Sequence, residues 1–233
     1  MVTGLPQLIK QTKLMEEQLD MDRNSILIKY GFDKHNDARV TIFSKAILVQ
    51  RSVRLCFIFR RNHLSEPEWW KGLDADMNWS LPSDEDSLAN LLMNYIDEFT
   101  NFSTVGYVHA LFSSIESSFR LFVRALDPNA CNKGTDDFIN IYQWLLTKLK
   151  LVNYISMLNF LRLVRNTVHN NGVYYHRTKL KESVTYNGAT YTFELGKAVG
   201  YGDVWDILQF QIMPDVKRMI ADVVNTKDIR SYS

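Results

Sequence analysis

Cysteine is nearly missing from this chain of 233 residues. Cys56 and Cys131 show no metal-ligand spacing, which removes a cysteine zinc site. A disulfide between them stays open, although usage this low suits a reducing compartment. Cys56 lies in an apolar run and reads as a small core residue. An excess of charge of one sign is also missing. The formal net charge is +1, so there is no chain-wide basic field for DNA or RNA, and only a local patch could serve that purpose. No uninterrupted apolar stretch occurs. The most apolar segments carry Arg or Lys at short intervals, and the opening "MVTGLPQLIKQTKLMEEQLD" has no apolar core of a signal peptide. These features predict a cytoplasmic protein with no membrane partner. Gly-rich phosphate loops, a Gly-x-Ser-x-Gly elbow and a dinucleotide fingerprint are all lacking. So are internal repeats and low-complexity tracts.

What is present is helical periodicity in a chain that is 46% hydrophobic and 12% aromatic. That is enough apolar material for one large domain or two small ones. Pro6 suits an early helical position and predicts a first helix to about Asp20. A second helix is predicted from Ala38 to Arg61, with Ile42, Ile47, Leu48, Val53, Leu55, Cys56 and Phe59 as core candidates. Residues 64–84 hold Pro67, Pro82 and three tryptophans. They read as a connection packed down on the body, and they place a boundary between an N-terminal helical extension (residues 1–84) and a second unit (85–225), with 226–233 as a tail. The extension is expected to pack on the core through Trp69, Trp70 and Trp79.

Ser83 or Asp84 can cap a helix to about Phe99. A separate helix is predicted from Val105 to Leu126, with Val108, Leu111, Phe112, Ile115, Phe119, Phe122 and Leu126 on its core face. It stops at "DPNACNKG". Thr135 caps a helix to Lys150, and Asn153 caps the next one, which ends in "LVRNTVHNNG". After Gly172 the period changes from 3.6 to 2. "SVTYNGATYTFELG" alternates around Asn187-Gly188, the pair a type I′ hairpin turn demands. A last helix is predicted over about Gly202 to Val224, kinked or broken at Pro214. The fold class is all-α: an antiparallel helical bundle with a small β-hairpin before the C-terminal helix.

The chemistry-bearing stretch is the end of the helix before the hairpin. On a helical wheel Arg162, Arg165, Asn166 and His169 fall within an arc of about 100°, bordered by Leu158, Leu161, Leu163, Val164 and Val168. One reading leaves the arginines solvated and His169 where a helix C-terminus favours a cation. The other reading pairs two abilities. His titrates near neutrality and moves protons. Arg forks onto a phosphate and stabilises charge developing on it, and Asn can orient either. With no Asp/Glu cage nearby, this set points to phosphodiester chemistry without a metal or cofactor. On the preceding helix Glu116 and Arg120 form an i,i+4 pair. It is either a surface ion pair or a means for Glu116 to reach Arg165 or His169 and orient it. His63 and His109 are isolated and read as structural or surface histidines. His169 and His176 straddle a break with no Cys or carboxylate at ligand spacing, so no zinc site is expected. "HRTKLKE" brings His176, Arg177, Lys179 and Lys181 directly after the motif, where they could track a nucleic-acid backbone.

"LRLVRNTVHNNG" resembles the signature of HEPN domains, whose last core helix carries an Arg, often followed by Asn, and then a His. "HALFSSIESSFRLFVRALDP" is similar to the earlier HEPN helix that packs against it. The resemblance covers roughly residues 85–225 and implies an antiparallel bundle that dimerises with its motif helices facing each other. In active members it further implies metal-independent endoribonuclease activity. By position it assigns catalysis to Arg165, Asn166 and His169; in the enzymatic reading Glu116 joins them as a positioning group. The family usually separates its Arg and His by more than the three residues between Arg165 and His169; Arg162 precedes His169 by six intervening residues. Either Arg162 is the motif Arg or the motif is shortened. RNA contacts would come from Arg120, His176, Arg177 and Lys179. The resemblance also implies defence or toxin–antitoxin systems, with an antitoxin or other protein partner. Many members are instead non-catalytic modules that bind RNA, a nucleotide or a partner protein, since fold does not settle function.

Overall fold

The structure is a computed structural model, and it describes residues 4–73, 82, 84–130, 137–170, 172–199 and 204–231. Its described elements are helices and one hairpin, in the all-α class. Helix α1 spans Leu5–Tyr30 and pairs with α2, Ala38–Phe59. The first helix outruns the sequence expectation by ten residues. Arg23 and Asn24 bond back to the Asp20 carboxylate, and Ile26 keeps an apolar contact in the core, so the helix persists to Gly31. There a φ of 69° closes it through the Gly31 N–H on the Leu27 carbonyl. Asp33 turns the connection by accepting the His35 and Asn36 N–H groups, and Asp37 caps α2 through the Arg39 N–H.

Helix α2 runs on into a π-helical turn, Arg60–Leu64, and then α3, Pro67–Gly72. Ile42, Ile47 and Val53 are core residues as expected, joined by Phe43, Ala46 and Phe57. Leu48 and Leu55 are not: both are more than 60% exposed. Leu48 and the half-buried Cys56 instead line an apolar groove of about 470 Å³ with Phe102 of the next helix. Cys131 lies outside the described residues.

Helix α4, Glu85–Leu126, is the spine of the fold. Its 42 residues span about 63 Å at 1.5 Å per residue. Sequence reading divides it into two helices at the Ser/Thr-rich stretch around residue 100, and the structure overturns that. The hydroxyls of Thr100 and Thr104 donate to the Ile96 and Thr100 carbonyls at 2.6 and 2.8 Å. Residues that usually compete with the helix thus bond inside it. Asp84 supplies the expected cap, accepting the Ser87 N–H at 2.8 Å, and Asp127 leaves the helix extended before Pro128.

Helix α5, Phe138–Lys148, leads through a 3₁₀ turn, Val152–Tyr154, into α6, Ile155–His169. Neither begins at its predicted cap. Thr135 lies outside the described residues, and Asn153 sits within the 3₁₀ turn. The Asn-Asn-Gly stop works through Gly172: at φ 81° its N–H reaches the Thr167 carbonyl at 2.8 Å. Strands β1 (Lys181–Tyr186) and β2 (Ala189–Glu194) pair antiparallel, with Tyr186 opposite Ala189. Asn187 (φ 48°) and Gly188 (φ 78°) form the turn. The hairpin lies on α6, where Tyr186, Tyr191 and Phe193 surround the Phe160 ring.

The C-terminal helix starts as α7, Val204–Ile207, widens into a π turn over Leu208–Ile212, and continues as α8, Met213–Asn225. Pro214 therefore falls in the first turn of a new α segment. The wider turn before it accommodates the missing N–H and the ring without a break. The residues set aside as a tail include α9, Lys227–Arg230, whose Ile229 is fully buried. Arg39 donates to the Ile229 and Arg230 carbonyls, tying the start of α2 to α9.

One hydrophobic core runs through all of this, from Leu8 of α1 to Ile229 of α9. The helices before residue 84 share it through Phe43, Ile47 and their neighbours. Trp69 and Trp70 pack on α4 as well, in a separate small cluster with Leu64, Leu92, Tyr95 and Phe99, where the Trp70 indole donates to the Leu64 carbonyl. Trp79 lies outside the described residues. No described helix is long and apolar enough to cross a membrane.

Candidate functional site

Helices α4 and α6 pack side by side, and each presents a polar strip along the seam. On α4 the strip is His109, Glu116 and Arg120, with the Phe112 ring on the same face between them at helical spacing. On α6 it is Arg162, Arg165, Asn166 and His169. The strips, the start of α5 and the segment before β1 enclose a cleft of about 670 Å³, within the range of small-molecule sites. Its walls include Phe112, Glu116, Arg120, Asp137, Phe138, Arg162, Arg165, Asn166, His176 and Lys179.

The two arginines of α6 are held differently. Arg162 donates to Glu182 of β1 at 2.7 Å, both side chains less than a fifth exposed. Lys179 also pairs with Glu182. Burial works to raise the Glu182 carboxyl, but the hydrogen bonds and charges of Lys179 and Arg162 outweigh it and hold the group below the usual carboxylate range. Tyr142 stands beside this pair, its hydroxyl pushed up to about 12 chiefly by burial. Arg165 has no carboxylate partner among the described residues. Its guanidinium lies 5.6 Å from the Phe112 ring centre, and Nη1 donates to the Asn166 side chain at 3.2 Å. Its Nε is sealed from solvent without a hydrogen bond. The backbone carbonyl of Asn166 accepts the side-chain amide of Asn170 at 2.7 Å.

Glu116 gives one carboxylate oxygen to Arg120, at 2.6 and 3.0 Å, and no hydrogen bond joins it to Arg165 or His169 among the described residues. His176 is held by Nδ1, which accepts the backbone N–H groups of Thr178 and Lys179 at 3.1 and 3.0 Å. Nε2 remains as that ring's donor. Arg177 is exposed and is not part of the cleft wall. Counting Glu182 with the wall residues, four permanent cations face three carboxylates: Arg120 pairs with Glu116, Arg162 and Lys179 share Glu182, and neither Arg165 nor Asp137 has an ion-pair partner among the described residues.

His169 lies beside the cleft rather than in its wall. It is exposed on the last turn of α6, and its ring meets that of His109 edge-on, 5.2 Å between centres. His109 is half-buried, with Nε2 sealed and unpartnered. Burial first, then the nearby charges of Arg165 and His169, lower its proton affinity below that of a free imidazole. Among the described residues no three His, Cys, Asp or Glu side chains converge as a metal site. Comparison with protein-family models, curated proteins and solved structures found no match.

The sequence reading named most of the cleft: Arg120, Arg162, Arg165, Asn166, His176 and Lys179. Of the wall it does not name Asp137, and it leaves out two groups beyond the wall, Glu182 and His109, the latter because its partner His169 is sixty residues on. Phe112 reads as a core residue and is buried, but it also carries Arg165. The available signal was the shared face of His109, Phe112, Glu116 and Arg120 on one helix.

Proposed function

We propose that this protein is a metal-independent endoribonuclease of the HEPN type. The observation that supports the reading is the juxtaposition of Arg165, the cation without a carboxylate, with the exposed His169 one turn further along α6, beside the cleft. A phosphodiester carries one negative charge, which matches the single excess positive charge around the cleft. In this reading Arg165 forks onto the scissile phosphate and stabilises the charge that develops as the 2′-oxygen attacks. Asn166 holds the guanidinium. His169 transfers a proton at the 2′-hydroxyl or the leaving oxygen. The products are a 2′,3′-cyclic phosphate and a 5′-hydroxyl. Arg120, His176 and Lys179 contact the RNA on either side, and Arg162, held by Glu182, is a framework residue rather than the motif Arg. Two copies are expected to face their grooves toward each other. A place in a defence or toxin–antitoxin pair, with an antitoxin as protein partner, and a cytoplasmic location complete the reading.

The test is incubation with RNA in EDTA. Cleavage that persists there and vanishes in Arg165→Ala and His169→Ala supports the enzyme. A second reading is a non-catalytic module that holds RNA or a nucleotide in the same cleft, favoured by the cleft's volume and basic wall. RNA that binds the wild type, is lost in Arg165→Ala and is never cut would select it. Sedimentation of the wild type at micromolar concentration reads the dimer.

A further inference from the structure

Phosphodiester cleavage through the 2′-hydroxyl needs a proton removed at one oxygen and another supplied at the leaving oxygen. A single histidine can serve both only by turning over between them. Beside the cleft, whose own wall carries His176, stand two histidines on different helices, their ring centres 5.2 Å apart, with the Arg165 charge acting on His109. We propose that His109 is a second catalytic residue, so that one protomer carries both the general base and the general acid of RNA cleavage. The proposal rests on the ribonuclease reading and adds a residue that the resemblance does not supply.

The roles are set by where each ring sits. His109 is the enclosed member. Desolvation and the Arg165 charge both oppose its protonation, so it enters the reaction neutral. Its Nε2 is shut away from solvent, which leaves Nδ1 as the atom able to take a proton, with the ring's own proton on Nε2. His169 is the exposed member, on the last turn of α6, and the remaining transfer, donation to the leaving oxygen, falls to it. The charged groups that act on His109 are Arg165 and His169, both from α6. Along its own helix the next charges, Glu116 and Arg120, are paired with each other.

Atoms and charge balance across the step. The 2′-O–H bond breaks and its proton passes to His109 Nδ1. The 2′-oxygen bonds to phosphorus, and the bond from phosphorus to the 5′-oxygen breaks. That oxygen takes the proton of the His169 imidazolium. His109 ends charged and His169 neutral, and exchange with water restores both. Arg165 stands over the phosphate throughout.

The experiment is the pH–rate profile of cleavage of a mixed-sequence single-stranded oligoribonucleotide in EDTA, for the wild type, His109→Gln and His169→Gln. The expected result is a bell in the wild type. His109→Gln should lose at least about 100-fold and the acidic limb, and His169→Gln should lose the basic limb. Because the pair acts as a unit, the double variant should be little worse than either single one. A His109→Gln enzyme within threefold of wild type, its bell intact, overturns this inference and leaves the ribonuclease reading standing. A wild type that cuts no RNA removes the ribonuclease reading, and this one with it. An arm that needs neither cleavage nor a stable His109 variant is the NMR titration of His109 in His169→Asn. Removal of the neighbouring charge should raise the His109 midpoint. An unmoved midpoint means that the rings are not coupled and overturns the pair.

Discussion

Arg162 and Arg165 stand one turn apart on α6 and face the same cleft, yet what surrounds them differs. Arg162 is braced by Glu182 from the hairpin, and Lys179 shares that carboxylate. Arg165 rests on the face of Phe112 beside a neutral amide, with no counter-ion among the described residues. A half-buried guanidinium with no carboxylate is costly unless something else satisfies it. The braced arginine ties α6 to the hairpin; the other has no carboxylate of its own among the described residues. Residue type alone cannot distinguish them, since both are Arg on one narrow arc of one helix.

The largest effect that would break this comparison is on activity. Arg165→Ala should lower RNA cleavage by at least about 1000-fold, close to 4 kcal/mol of transition-state stabilisation, while moving the urea midpoint by less than about 1 kcal/mol of stability. If Arg165→Ala cleaves normally and Arg162→Ala does not, the roles assigned to the two arginines are reversed.

The next effect is on stability. Glu182→Ala leaves Arg162 enclosed without its partner, and removal of one member of such a pair should cost about 3 kcal/mol in chemical denaturation. A loss below about 0.5 kcal/mol would show that the brace is ornamental and that Arg162 is free to serve the cleft.

The same pair predicts a pH dependence. The Glu182 carboxyl is held below its ordinary range in the folded state. Its contribution is therefore complete above the unfolded carboxylate value, about 4.3, and is lost as pH falls through the lower folded value. Between pH 7 and pH 3 the wild type should lose more stability than Glu182→Gln, which has no carboxyl to titrate. Parallel curves for the two proteins would mean that Glu182 is not shifted.

The smallest effect sharpens the other half of the comparison. Phe112→Leu keeps an apolar side chain under Arg165 but removes the ring face. It should cost about 1 kcal/mol and weaken RNA binding severalfold, read by fluorescence anisotropy. Binding unchanged in a folded Phe112→Leu protein would show that the ring does not position the guanidinium.

Local rules carried much of the fold. The apolar stripe of Val108, Leu111, Phe112, Ile115, Phe119 and Phe122 is buried as its period requires. Asn187-Gly188 turns the hairpin because its dihedrals suit few other pairs, and Asp84 caps α4. These outcomes depend on neighbours a few residues away. So does the polar arc of α6, which was legible because four polar residues interrupt an apolar run.

Other features were decided by parts of the chain that meet only after folding. Nothing local says that Leu48 and Leu55 are left outside while Phe43 and Phe57 fill the core. That depends on where α4 crosses α2. The continuity of α4 past Thr100 rests on hydroxyls choosing helical carbonyls, a choice that tertiary packing of the flanking turns makes favourable. In the site, the sequence by itself determined which residue types share a helical face: Arg162, Arg165, Asn166 and His169 on one helix, Glu116 and Arg120 on another. Only the tertiary structure decided their partners. It brought Glu182 across 20 residues to Arg162 and His109 across 60 to His169, because charge and proton affinity depend on the groups within a few ångströms in space rather than on the adjacent residues of the chain.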